Sequence, residues 1–244
     1  MAQNPGFSHF DLQPDLDRPT RRKLLIHAAL LLVTLCTATI AGILYPFGKI
    51  DSFPSLDPQN WTELFQAISW MPVLYASFIG SVVHDLLTRP DYLQYGLSFS
   101  LSLLFILISH EMGHYVACRI YRVDATLPFF IPTPPMFGPA GTFGAFIKIK
   151  SPMPSRKAIF DIGVAGPIAG FVALLPIAVL GVSTMNVVPA APIPEGSGAI
   201  VFSDPVLMRL IALAFGIDLH FAVGNAFYYA AWLGLLVTAL NLIP

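Results

Sequence analysis

His110-Glu111-Met112-Gly113-His114 is the segment of this chain whose residue types and spacing can do chemistry. On an α-helix, positions i and i+4 share a face, so both imidazoles can be directed at one metal ion. Neutral imidazole is a good zinc ligand, and a glutamate beside it can take a proton from metal-bound water. Average residue usage produces such a match by accident on the order of once per hundred chains of this length. The plainer reading is two histidines and a glutamate facing a water-filled cavity without metal. The setting argues against it, because an ionisable residue deep in an apolar helix costs at least ~2.5 kcal/mol without a partner. A metal ion would partner all three side chains at once.

The helices that must carry this segment lie in a membrane. Only 11% of the 244 residues are charged and 55% are hydrophobic, against about 25% charged in a soluble domain. That balance excludes a cytosolic enzyme. With 13 basic and 14 acidic residues the net charge is -1, so no basic field exists to attract nucleic acid. Cys36 and Cys118 both sit in apolar surroundings and support neither a disulfide framework nor a thiolate metal cluster.

The predicted organisation begins with a cytoplasmic tail at 1–23 and a transmembrane helix at 24–45. Asp11, Asp15 and Asp17 argue against a signal or transit peptide, and Arg18, Arg21, Arg22 and Lys23 place the tail in the cytoplasm. A loop follows from 46 to 92. Its apolar stretch 65–87, broken by Pro72, is expected to be interfacial or re-entrant, because the basic residues of 119–157 also favour the cytoplasm. Further uncharged spans are expected from 93, at 162–194 and at 219–244, with a shorter run at 206–217. The fold class is an all-α polytopic membrane protein with four to five transmembrane helices.

Pro128, Pro132, Pro134, Pro135, Pro139, Pro152 and Pro154 exclude a helix after the H-E-x-x-H span. Alternation over 145–150 reads as a strand, and Gly141 and Gly144 bracket a turn, giving a short β-hairpin-like insertion. Gly163, Gly166 and Gly170 have the spacing of close helix packing, Asn225 that of an interhelical hydrogen-bond former. His27, His84 and His220 lack ligand spacing.

Several motifs together resemble the site-2 protease family of intramembrane zinc metalloproteases. They are His110–Tyr115, Leu127–Pro132, Gly141–Ile147, Arg156-Lys157, Asp161–Pro167 and Asn241-Leu242-Ile243-Pro244. The resemblance covers 93–244. It implies Zn2+ held by His110 and His114, Glu111 as general base, and substrate binding by Gly141, Thr142, Phe143, Gly144, Phe146 and Asn241. The family's third ligand is an aspartate a short way past that asparagine. The sequence ends at Pro244, before that position, so the core at 93–244 is expected to be incomplete.

The expected function is hydrolysis of a peptide bond in or near a membrane-embedded segment. The expected partners are single-span membrane protein substrates and the lipid bilayer, with no nucleic acid and no organic cofactor. The expected location is the bacterial cytoplasmic membrane, multi-pass. Two other classes compete: a non-hydrolytic protein of the same fold that holds client helices, and a zinc or proton transporter, which would need more ionisable residues on other spans.

Overall fold

Capping chemistry sets where the apolar runs become helices. The computed structural model describes residues 20–47, 49–53, 58–187 and 203–241. α1 (Arg21–Leu44) starts where Thr20 Oγ1 accepts from the Lys23 amide. α2 (Trp61–Thr88) is capped by Asn60, whose Oδ1 accepts from the Glu63 amide at 2.9 Å, while Glu63 reaches back to the Gln59 amide at 2.8 Å. α3 (Pro90–Ile120) has a proline in its first position, where a missing N–H costs nothing. α4 (Arg156–Ser183) is capped by Ser155. α5 (Val206–Phe215) closes on Gly216 at φ 67°, and α6 (Ala226–Leu240) is capped by Asn225.

α1 to α4 are each long and apolar enough to cross a membrane, so the chain is a multi-pass helical membrane protein. α3 is the central element: it packs against α1, α4 and α6, with Phe99, Leu103, Ile106 and Leu107 fully buried. Small residues let the helices approach. Gly42 receives the Phe99 ring, Gly96 faces the Thr39 carbonyl, and Gly181 abuts the Tyr228 backbone. Thr39 and Ser100 hydrogen-bond across the α1–α3 contact at 2.8 Å.

Several elements differ from their sequence expectations. The stretch expected to break at Pro72 is one continuous helix, because a proline removes a single ladder bond and the caps on either side are intact. The run 219–244 is not one span. A tight turn at Leu219–Phe221 leads into β4 (Ala222–Val223), which pairs with β3 (Asn186–Val187), and helix begins only after the Asn225 cap. The run from 162 starts earlier, at Arg156, because Ser155 supplies the cap. The tail at 1–19, loop residues 54–57, the 188–194 end of that run and residues 242–244 lie outside the described residues.

The insertion is a hairpin, placed differently from the expectation. β1 (Phe129–Pro132) pairs antiparallel with β2 (Thr142–Phe146), Phe129 opposite Phe146 and Phe130 opposite Ala145, with a register shift before Pro132. The strand therefore lies at 142–146, and 133–141 form the connection. Beyond β2 the pairing resumes loosely, with Ala125 opposite Ile149 and the Lys150 amide donating to the Asp124 carbonyl at 2.8 Å. α1 carries the hairpin. Thr37 Oγ1 donates to the Gly141 carbonyl at 2.7 Å, and His27 Nδ1 lies 3.0 Å from the Pro128 carbonyl.

Candidate active site

His110 and His114 sit on the α3 face that meets α4, their ring centroids 5.1 Å apart. Counting back from Ile120 at 1.5 Å per residue, His110 lies about 15 Å inside the helix end. α3 and α4 run antiparallel here, and the two four-residue spacings match. A Cβ at Gly166 would meet the His114 ring at 2.1 Å, and one at Gly170 would meet His110 Nδ1 at 2.9 Å. Gly113 answers from α3, facing the Ala165 carbonyl and the Ala169 methyl. These glycines thus do more than bring two backbones together: Gly166 and Gly170 form the seat for the two imidazoles.

His114 Nδ1 is 2.6 Å from the Ile162 carbonyl. A carbonyl only accepts, so Nδ1 carries the proton and Nε2 keeps its lone pair, the tautomer of a metal ligand whose other nitrogen is anchored. His110 is 2% exposed; its Nε2 is 3.2 Å from Asn241 Nδ2, and its buried Nδ1 has no hydrogen-bond partner. An amide N–H only donates, so His110 Nε2 accepts and its Nδ1 carries the proton, which finds no acceptor among the described residues; both rings thus keep the Nε2 lone pair, the donor a zinc ion takes. Among the described residues no group of three His, Cys, Asp or Glu side chains converges as a metal site. The two histidines supply imidazole donors suited to zinc, and the third donor is not in this set.

Glu111 is 6% exposed and shares its cavity with Ile147, just past β2. An open cavity of about 420 Å³ joins these groups, lined on one side by His110, Glu111, His114 and Asn241 and on the other by Ala145, Phe146 and Ile147. The structure therefore brings Phe146 and Asn241 to the H-E-x-x-H segment. Gly141, Thr142, Phe143 and Gly144 do not line this cavity. Gly141, at φ 65°, is pressed against Thr37 of α1, and the Thr142 hydroxyl is used inside the hairpin, donating to the Ile131 carbonyl at 2.9 Å. Phe143 is 77% exposed.

Ile162, Gly166, Gly170 and Ile147 were not singled out for the site by sequence reasoning. A signal existed for the glycines: Gly166 and Gly170 repeat the four-residue interval of the histidines. One further contact stands behind His114. Tyr121, which caps α3, donates its hydroxyl to Asp161, the neighbour of Ile162, and so ties the ends of α3 and α4. That hydrogen bond raises the Tyr121 phenol above its ordinary pKa, so it remains a donor.

A polytopic helical membrane protein with an H-E-x-x-H pair seated on a glycine-bearing neighbour helix has the residue pattern of a metallopeptidase. The chain belongs to peptidase family M50, the site-2 protease family, whose profile matches residues 98–244. It is similar to the rice (Oryza sativa subsp. japonica) protein named "Probable zinc metalloprotease EGY1, chloroplastic", 32% identical over 63% of this chain and 26% of that one. The Arabidopsis thaliana EGY1 of the same description is 31% identical over 61% of this chain and 27% of its own length. Arabidopsis EGY2, likewise named a probable chloroplastic zinc metalloprotease, is 31% identical over 82% of this chain and 37% of its own. The chain thus spans between a quarter and two fifths of these relatives. No solved structure matches it.

Proposed function

We propose that the protein is a zinc-dependent endopeptidase that cleaves a peptide bond in or near a transmembrane segment of a single-span membrane protein. The observation that carries this reading is the cavity shared by His110, Glu111 and His114 with the edge of β2, about 15 Å from the end of a membrane helix. Zinc on His110 and His114 would supply Lewis acidity toward a carbonyl and make water a stronger acid. Glu111 takes the proton from the attacking water and returns it to the leaving amine. A helical peptide bond is shielded by its own turn, so the substrate must be extended. The edge of β2 running into Ile147 offers main-chain groups on which an unwinding segment can pair, beside Glu111. Asn241 holds His110 from the side of α6.

The same reading keeps α2 at the membrane surface. Its last turns pack on Ile43, Leu44 and Tyr92, at the end of α1 away from Arg21, Arg22 and Lys23. Phe53 lies against Phe78, ring centroids 5.3 Å apart. With α2 at the surface, an even number of crossings separates the basic residues before α1 from those at 119–157, and both groups lie on the cytoplasmic side. The proposed location is a bacterial cytoplasmic membrane, although the relatives' names place those proteins in chloroplasts.

Glu111→Gln in the full-length protein tests the central claim, using a membrane-anchored reporter substrate and measured zinc content. The expected result is retained zinc with turnover down by about 10²–10⁴-fold. Turnover near wild type overturns the general-base role. A wild-type protein that binds reporter helices and never cleaves them favours the client-holding alternative.

A further inference from the structure

A second cavity, of about 180 Å³, lies between the start of α1, the end of α3 and the chain leading into β1. Ile26, Leu127 and Phe129 give its lining apolar surface, Tyr115 adds a phenol, and Lys23 and Lys150 belong to the same lining. The His27 ring, also in the lining, packs on Phe129 with centroids 4.0 Å apart. We propose that this cavity is a binding site for one anionic phospholipid of the basic-side leaflet, its phosphodiester under Lys23 and Lys150 and its acyl chains along α1.

Three features select that ligand. The position is the membrane boundary, because α1 begins here with Arg21, Arg22 and Lys23 and α3 ends here with Arg119. Past this cationic edge α1 turns its apolar side outward: Leu25 is 71% exposed, and Ile26, which lines the cavity, is 46% exposed. A ligand with an anion at one end and hydrocarbon at the other satisfies both halves. The volume accommodates a headgroup and excludes a helix, which is 10–12 Å across. Lys150 also pairs with Asp124 at 3.4 Å, and Lys23 has polar contacts of its own. The site therefore acts through the local positive field and does not require free ammonium groups. Behind Tyr115, the Arg119 guanidinium lies 5.4 Å from the ring centroid, and its buried Nη1 has no hydrogen-bond partner, adding cationic character to this wall.

The location gives the lipid a consequence. Tyr115 directly follows His114, and Leu127 and Phe129 lead into the hairpin that walls the catalytic cavity. A lipid wedged here would brace α1, α3 and β1 against one another. This inference rests on the membrane setting alone and stands whether or not the chain is a peptidase.

Native mass spectrometry on the full-length protein, extracted from bilayers of equal phosphatidylglycerol and phosphatidylcholine, tests it. The expected result is one retained phosphatidylglycerol per chain. Retention should fall about fivefold for each of Lys23→Gln and Lys150→Gln. Ile26→Trp, which fills the cavity and leaves every charge in place, should abolish it. Equal retention of both lipids, or retention unaffected by Ile26→Trp, overturns the proposal. Inorganic phosphate displacing the lipid at millimolar concentration would assign a free-anion site instead and also overturn it. If Lys150→Gln fails to fold because its Asp124 pair is lost, Lys23→Gln and Ile26→Trp decide the matter.

Discussion

Gly166→Ala adds one methyl group where the structure has no space for it. The new Cβ would lie 2.1 Å from His114 Nε2, 2.3 Å from Cδ2 and 2.5 Å from Cε1. Non-bonded heavy atoms rest about 3.5 Å apart, so the ring or the helix must give by roughly 1.4 Å. His114 has little freedom to do so, since its Nδ1 is held by the Ile162 carbonyl at 2.6 Å. Turning the ring off its rotamer costs about 0.5–1.5 kcal/mol, and losing the hydrogen bond costs about the same again. A zinc–imidazole bond is about 2.0–2.1 Å long, so a ligand displaced by this much no longer reaches the ion in its original place. The expected loss of zinc affinity is about 10–100-fold, the size seen when groups behind a metal ligand are disturbed. The assay is competition with a chelating indicator on purified full-length protein, for zinc and for cobalt, beside turnover of a membrane reporter. Gly163→Ala is the control: it lies three residues away on the same helix, and nothing stands within 4 Å of its Cβ. That variant should bind metal and melt as the wild type does. If Gly166→Ala binds zinc as tightly as Gly163→Ala, the idea that these glycines seat the imidazoles is refuted.

Further outcomes follow from the same geometry. Phe146→Pro places a residue without an N–H opposite Phe129 and beside the catalytic cavity; it should abolish reporter cleavage with zinc binding intact, and unchanged cleavage by the inserted protein would sink the strand-presentation role. Gly141→Ala combines a φ of 65° with a Cβ 2.4 Å from the Thr37 carbonyl, so its melting temperature should drop by more than that of Gly144→Ala, where φ is 100° and nothing is near. The conformational part of that penalty is about 1–2 kcal/mol, and equal melting of the two variants would show that the hairpin is not held on α1 at this point. Tyr121→Phe and Asp161→Asn each remove the tie between the ends of α3 and α4. Both should weaken zinc binding by less than about tenfold, and metal affinity unchanged in both would mean that Ile162 is held in place by other contacts.

Local pattern was enough to propose the centre. His110, Glu111 and His114 can be read from spacing alone, because a helix places i and i+4 on one face whatever surrounds it. Low charge and long apolar runs were enough for the membrane setting. The boundaries were less legible, since an Asn or Ser cap outweighs a change in hydropathy: Asn225 starts α6 well inside an uninterrupted apolar run. The hairpin shows the same limit. Alternation over 145–150 signalled extended chain, but the paired register was set by contacts with α1, among them Thr37 to Gly141 and His27 to Pro128.

What the sequence determined by itself was the chemistry on offer: two imidazoles and a carboxylate on one helix face, in a chain that must live in lipid. Only the tertiary structure decided how those groups are oriented. The Ile162 carbonyl that sets the His114 tautomer, the Gly166 and Gly170 seat, and the edge of β2 beside Glu111 all come from other elements. A main-chain carbonyl has no residue type, and a glycine is read by what fills the space it leaves. Neither can be recognised until the antiparallel packing of α3 and α4 brings the two four-residue intervals into register.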